Sequence, residues 1–454
     1  MSRSAHQFRP SPECCEGRFL LSDASPIRAP SAGSLRAMML DPNGTHPTRP
    51  NEHVVPFYAS PDAATFIDPT ARLIQPQHML LGQQTYVAPF ATLDATRGYI
   101  KVGSQSAVLD NATILANPAR AGSPVGVFIG DKTLIDQGTT VRGPSAIGSY
   151  APDAMPAEIG PNALIDAATI EAGAIVGALA RVGPGVTVPS GLRVLPGRNV
   201  TTDAEASDPA LGKVEKITPE EMADLVVRVA HNADLAKGYT TLFRASDLRQ
   251  TDPVPPSLTE GTPRVPGFFD GNLRFVSGTS PEAGPPIVPF EPGRFAPKFP
   301  SAHRGPVEAL LPQSRFPTRA TGQVQFGMRP ASIARSLGPR NSIRADDGQP
   351  ITVGPSATTG VGVTVHAPGG GKVTIGQNVQ IQDGAVILGG SSSPATLGDG
   401  VTVGTGAVID QATIGKGSII GARSYVQNSN LPAGTVLPPG TVWVDGKEQG
   451  TVEW

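Results

Sequence analysis

The sequence predicts a mainly β chain folded as two tandem three-sided parallel coils, joined by a Pro-rich connector. Three observations lead there. Aliphatic residues recur six apart at Ile129, Ile135, Val141 and Ile147, then at Ile170, Val176, Val182 and Val188. The second half repeats the spacing at Val353, Thr359 and Val365, at Ile375, Ile381 and Ile387, and at Ile414, Ile420 and Val426. Composition agrees, because 53 Gly and 47 Pro beside only 5% aromatic residues favour turn-rich β structure over a helical bundle.

A period of six belongs neither to a helix nor to a simple strand. It suits a solenoid in which each hexad makes one short strand and one corner. One aliphatic side chain per side then points inward, and Gly, Asn or Asp takes the corner, where positive φ is tolerated. Strands of successive coils pair about 4.8 Å apart, so each coil depends on its neighbours. A β-sandwich with accidental spacing is the alternative, and the number of hexads that keep phase argues against it.

At 454 residues the chain is expected to hold at least two domains. A net charge of -2 and a pI near 6.4 give no global attraction to nucleic acid or to an anionic membrane, so neither is expected as a partner. The only cysteines, Cys14 and Cys15, are adjacent and leave no disulfide framework. The N-terminus lacks a secretory pattern, and the apolar run Phe19 to Leu21 is too short to cross a membrane. A cytoplasmic protein is expected.

Along the chain, residues 1–55 read as a disordered or extended tail, and 56–245 as a first β-helix followed by a helix. Residues 246–317 read as a Pro/Phe-rich basic connector, and 318–454 as a second β-helix. The first set of coils runs from about Ile67 to Val200. A helix follows over 217–242, with Thr218 as cap, Pro219 in its first position and Glu220 and Glu221 at its positive end. Met222, Leu225, Val226, Val229 and Leu235 form its apolar stripe. Residues 251–300 hold 12 Pro, which excludes long helices, and six Phe, which predict a segment laid along a β-helix face. From Gly293 to Arg344 eight Arg and one Lys face a single acid, Glu308. This basic arm is expected to dock on its own chain, with a protein partner as the alternative. The second coils run from about Thr318 to Val444.

Longer stretches resemble the γ-class carbonic anhydrases, and do so twice. In the first half IDPTARLIQP (67–76), VGSQSAVLDNATI (102–114), IGDKTLIDQGTTVRGPSAIG (129–148) and HNADLAKGY (231–239) are similar to that family's coils and C-terminal helix. In the second, SIRADDGQPITVG (342–354) and VTVHA (363–367) are similar to its motifs. The resemblance implies a left-handed β-helix assembled as a homotrimer, or as a pseudo-hexameric set of β-helices, with zinc between subunits held by three His.

Carried over residue by residue, the first copy has Leu115, Gln137 and Arg142 at the three zinc positions. Leu offers no donor, Gln is a poor neutral ligand, and Arg brings a fixed positive charge. Asp94, Thr96 and Leu109 stand at the family's Arg, Asp and Gln positions, with Asp110, Asn232 and Tyr239 as peripheral matches. The second copy keeps Arg344 and Asp346 as catalytic candidates, with Asp347 where a Glu is usual. His366 stands at the first zinc position, Asp383 at the second, Leu388 at the third, and Gly360 at the Gln position. His366 and Asp383 are thus the metal candidates, two donors where catalytic zinc takes three. Arg344 with Asp346 is also read as an intersubunit ion pair, and His366 as an interface hydrogen-bonder. APGGGK (367–372) reads as a corner loop, since it lacks the residues of a phosphate loop.

Three functions follow as expectations. One is a structural or assembly subunit with decayed zinc sites, and hence no cofactor. A second is an active zinc carbonic anhydrase that hydrates CO2 at an unusual His366/Asp383 site. The third is a hexapeptide-repeat acyltransferase with His366 as general base.

Overall fold

A computed structural model describes residues 65–68, 70–116, 126–151, 153–251, 268–269, 275–276, 318–322, 324–328, 332, 335–345, 351–368, 371–390 and 393–453. The chain is mainly β, in two tandem segments, each a stack of three-stranded coils whose strands form three parallel sheets. This topology fits a left-handed β-helix. In the first β-helix, sheet I runs through Tyr86–Val87, Ala107–Val108, Thr133–Ile135, Ala157–Ile159 and Ile175–Val176. Sheet II runs through Thr92–Asp94, Thr113–Leu115, Thr140–Arg142 and Leu164–Asp166, and sheet III from Met79–Leu81 to Thr187–Val188. In the second, sheet IV includes Ser342–Ala345, Thr364–His366, Val386–Leu388, Val408–Asp410 and Tyr425–Gln427.

The period of six has its physical cause in vertical registry. Ile114, Val141, Ile165, Val182 and Val200 are consecutive partners across sheet II, and all are fully buried. Ile129, Ile147, Ile170 and Val188 form the matching column of sheet III. In the second half Val365, Ile375, Ile381, Ile387, Ile414, Ile420 and Val426 are likewise buried. Thr359 departs from the expected pattern. Its hydroxyl accepts from Gly338 N and Asn341 Nδ2, so it serves a polar corner.

The corners also refine the expectation about glycine. In Gly160-Pro161-Asn162 and Gly183-Pro184-Gly185 the third residue has positive φ, 54° and 79°, as a type II turn requires. Yet Gln105, Lys132, Leu179 and Arg423 adopt the same conformation, so the registry of the stack outweighs local preference. The glycine directly after the inward aliphatic answers to another constraint. A Cβ on Gly160 would lie 2.9 Å from Ala178 N and Val176 O of the next coil.

The long helix spans Pro219–Thr251, nine residues beyond its expected end. Thr218 Oγ1 accepts from Glu221 N (3.2 Å) while Glu221 Oε2 accepts from Thr218 N (2.8 Å), a reciprocal cap. Leu225, Val229, Leu235, Ala236 and Tyr239 pack on sheet I against Phe66, Tyr86, Leu109 and Leu134. Val226 is not part of this stripe, being 49% exposed, because its position turns away from sheet I. No described helix is long and apolar enough to cross a membrane.

The two β-helices lie against each other. A corner column of the first meets the face of sheet IV. Asn111 Nδ2 donates to Thr364 Oγ1 (3.1 Å), and Asn162 Nδ2 donates to the carbonyls of Gly384 (3.1 Å) and Gly406 (3.0 Å). Ala178 and Leu179 pack among Val386, Val408, Tyr425, Val442 and Val452. Arg319 NH2 donates to Asp68 Oδ2 at 3.2 Å, with both side chains buried. Of the basic arm, Arg319 and Arg344 are therefore held inside the chain. Phe268–Phe269 pairs antiparallel with Phe275–Val276, and Phe268 also pairs with Thr321, extending sheet IV. The rest of the connector, the tail with Cys14 and Cys15, and residues 369–370 of the glycine loop lie outside the described residues.

Each β-helix ends in a strand of reversed direction. Val214–Lys216 pairs antiparallel with Leu192–Val194, and Lys447–Thr451 with Thr441–Val444.

Candidate functional site

Arg344 lies on sheet IV in the register Arg344, His366, Leu388, Asp410. The register in sheet II that holds the expected zinc positions Leu115 and Arg142 is Asp94, Leu115, Arg142, Asp166. Of these two registers, that of sheet IV is covered by the first β-helix, whereas Arg142 in that of sheet II is exposed.

Arg344 is fully buried and makes a bidentate pair with Asp110, also fully buried: Nε to Oδ1 at 2.9 Å and NH2 to Oδ2 at 2.8 Å. Ser342 Oγ donates to the same Oδ1 at 2.5 Å. A fork of this kind neutralises both charges and fixes their geometry. The guanidinium lies 5.5 Å from the Tyr86 ring centroid, and Tyr86 is stacked with Phe66 and Tyr239. Asp110, an acid of the same chain, is thus one partner of Arg344, a contact that the sequence did not suggest; the expected intersubunit pair with Asp346 involves a residue that is not described. Asp346 and Asp347 lie outside the described residues. Asp110 was legible only as a peripheral match, since nothing in sequence spacing joins residues 234 apart.

His366 is buried next to Arg344, with Nδ1 3.3 Å from NH2. A guanidinium only donates, so Nδ1 accepts and the ring proton of the neutral imidazole sits on Nε2. Burial, then the charge of Arg344, then His231 hold its pKa well below the usual value. His231, from the long helix, has its ring centroid 6.5 Å away. A zinc-bound His shows the reverse pattern, one nitrogen on the metal and an N–H given to an acceptor.

Asp383 stands apart from this group. It is exposed on a corner of the second β-helix, where Oδ1 accepts from Val361 N at 2.8 Å. Within one chain the structure does not bring His366 and Asp383 together. Leu388 packs against the apolar interface cluster. Gln137 is 3% exposed, on the corner between those of Asn111 and Asn162, and its Oε1 has no hydrogen-bond partner among the described residues. Leu115 is half-buried and Arg142 exposed on the uncovered sheet II. Asp94 accepts from Thr96 N and Oγ1, a local turn. Asn232 Nδ2 donates to Arg228 O along the long helix. Among the described residues no group of three His, Cys, Asp or Glu is placed to hold a metal.

A second buried polar group was invisible in the sequence. Arg228 of the long helix forks onto Glu158 of sheet I, with NH2 donating to Oε2 at 2.7 Å, beside Asp136 and, from sheet IV, Asp410.

No protein-family model and no curated protein matches the chain. Among solved structures it is similar to a hexapeptide transferase family protein from Anaplasma phagocytophilum, at 18% identity over 38% of this chain and 91% of that one, with a TM-score of 0.28. It is also similar to a putative acetyltransferase from Bacillus cereus, at 16% identity over 39% and 91% of the two chains, with a TM-score of 0.18.

Proposed function

We propose that this hexapeptide-repeat protein is a structural or assembly subunit whose γ-carbonic-anhydrase-like sites have lost zinc, the one on sheet IV carrying an ion pair instead. One observation carries the reading: Nδ1 of His366 accepts from Arg344. That bond places the imidazole proton on Nε2. Nε2 then has no free lone pair for a metal, and none to take a proton from a substrate. Zinc catalysis and general-base acyl transfer both need that lone pair, so the same contact weighs against each. Asp383 would have to reach His366 from another chain, and Leu388 and Gln137 add no strong ligand.

After dialysis against a mild chelator, the purified protein is expected to hold no stoichiometric zinc and to hydrate CO2 no faster than buffer. Elemental analysis and stopped-flow assays on wild type and His366→Ala check this. One tightly bound metal per protomer, with activity lost in the variant, would overturn the scaffold reading.

Assembly through the uncovered sheet II is part of the proposal, as a homotrimer or a pseudo-hexameric arrangement. Arg142 is exposed there, and a carboxylate from an adjoining subunit would give it a partner. Arg142→Ala is then expected to shift the sedimentation profile towards smaller species while leaving the circular dichroism of the β-helix unchanged. An identical profile at every concentration would count against Arg142.

A further inference from the structure

We infer that Val452 and Glu453 form a detachable clasp, which closes the last rung of sheet II and leaves it while the rest of the joint between the two β-helices stays shut. Sheet II ends at Asn199–Val200. The other two sheets of the first β-helix are closed at this end by that β-helix's own sequence. Val214–Lys216 lies on the end of sheet I, and Asp203 Oδ1, from the short helix Asp203–Ser207, accepts from Thr187 N (2.7 Å) at the edge of sheet III. Sheet II alone, among the described residues, takes its closure from the second β-helix.

Glu453 closes the rung with both its backbone and its side chain. Its N donates to Gly197 O (2.7 Å), while Asn199 N donates to Oε2 (3.0 Å) and Arg198 NH1 to Oε1 (2.9 Å). Lys213 Nζ stands 3.5 Å from Oε2. One carboxylate thus occupies the edge where a further strand would have paired. Val452, beside it, is buried in the cluster that holds Ala178, Leu179 and Val442. Gly197 makes room for this approach: its φ is 72°, and a Cβ there would lie 3.0 Å from Val452 Cγ2 and 3.1 Å from Val452 Cα.

The clasp meets water where the centre of the joint does not. The side chains of Arg198, Glu453 and Lys213 are 28%, 33% and 21% exposed, whereas those of Arg344 and Asp110 are fully buried. Salt screens the first group and barely reaches the second. Leading into the clasp, Lys447–Thr451 is a largely exposed edge strand, paired only with Thr441–Val444 among the described residues, and with a register shift between Val442 and Trp443. Segments with few buried contacts open at lower free energy than the core they border. Val452 and Glu453 therefore leave first, and their departure bares the Asn199 amide and the Gly197 carbonyl as an open sheet edge.

Hydrogen exchange of the full chain, followed by NMR and corrected for intrinsic rates, separates the two openings. The backbone amide of residue 453, bonded to Gly197 O, reports the clasp; the side-chain amide of Asn162, bonded to Gly384 O and Gly406 O, reports the joint. In the wild type the first should open more often than the second. Glu453→Ala keeps the backbone bond but loses the carboxylate, and is expected to speed exchange at residue 453 by about three- to tenfold while leaving Asn162 unchanged. Raising salt from about 0.05 M to about 1 M should speed the wild-type clasp amide in the same way and have little effect on it in Glu453→Ala. Equal opening at the two probes would show that clasp and joint move as one body, and would refute the inference. Unchanged exchange at residue 453 in the variant, or a wild type indifferent to salt, would refute it as well.

Discussion

Asp110→Ala is expected to destabilise the packed pair of β-helices by about 3–5 kcal/mol, because it removes a fully buried carboxylate that holds a fully buried guanidinium through two hydrogen bonds. The effect should exceed that of any surface ion pair, for which about 0–1 kcal/mol is usual. Arg344 has Nε and NH2 on the two Asp110 oxygens, and neither side chain is exposed, so water cannot replace the lost partner. The double variant Asp110→Leu with Arg344→Met separates charge from shape. Replacing a buried pair by apolar groups of similar volume is often neutral, so most of the loss should return. Denaturant unfolding of the two variants and the wild type measures both. A cost below about 1 kcal/mol for Asp110→Ala would mean that the joint admits water.

Ile165→Ala should cost about 2–5 kcal/mol in chemical denaturation, through lost burial and the cavity left in the sheet II column. Ile165 is fully buried between Val141 and Val182. A coil stack has no second core that could close over the gap, and each coil is held by its neighbours. Thr140→Ala, on the outward side of the same sheet, should change stability by no more than about 0.5 kcal/mol. Equal effects for the two substitutions would show that the inward and outward positions have been misassigned.

These two sites differ in how far the sequence disclosed them. Ile165 sits in a register that hexad spacing alone predicts, because one repeat dictates the next and the inward direction is common to all. The Arg344–Asp110 pair could not be foreseen in that way. It depends on how one finished β-helix lies on another, and two surfaces hundreds of residues apart share no period. The resemblance brought Arg344 and His366 to attention, yet the decisive fact about His366 is which nitrogen faces the guanidinium, a matter of geometry. Glu158, Arg228 and Asp410 carried no signal, since each looks locally like an ordinary surface charge. Val226 and Thr359 erred for a simpler reason: a period names positions, and a neighbouring element decides which are covered.

The reversed strands that finish the two solenoids bear on how the protein avoids polymerising. A parallel coil stack has no natural end, and its last rung offers unpaired amides and carbonyls in the spacing that another coil would match. Val214–Lys216 and Lys447–Thr451 occupy that rung while running the other way. A further parallel coil meeting them finds donors and acceptors in the wrong order. Lys447 and Glu448, both exposed, add charge at the tip. Fibre growth along the stacking axis is thereby discouraged at these ends, and encounters between molecules are directed to the flanks.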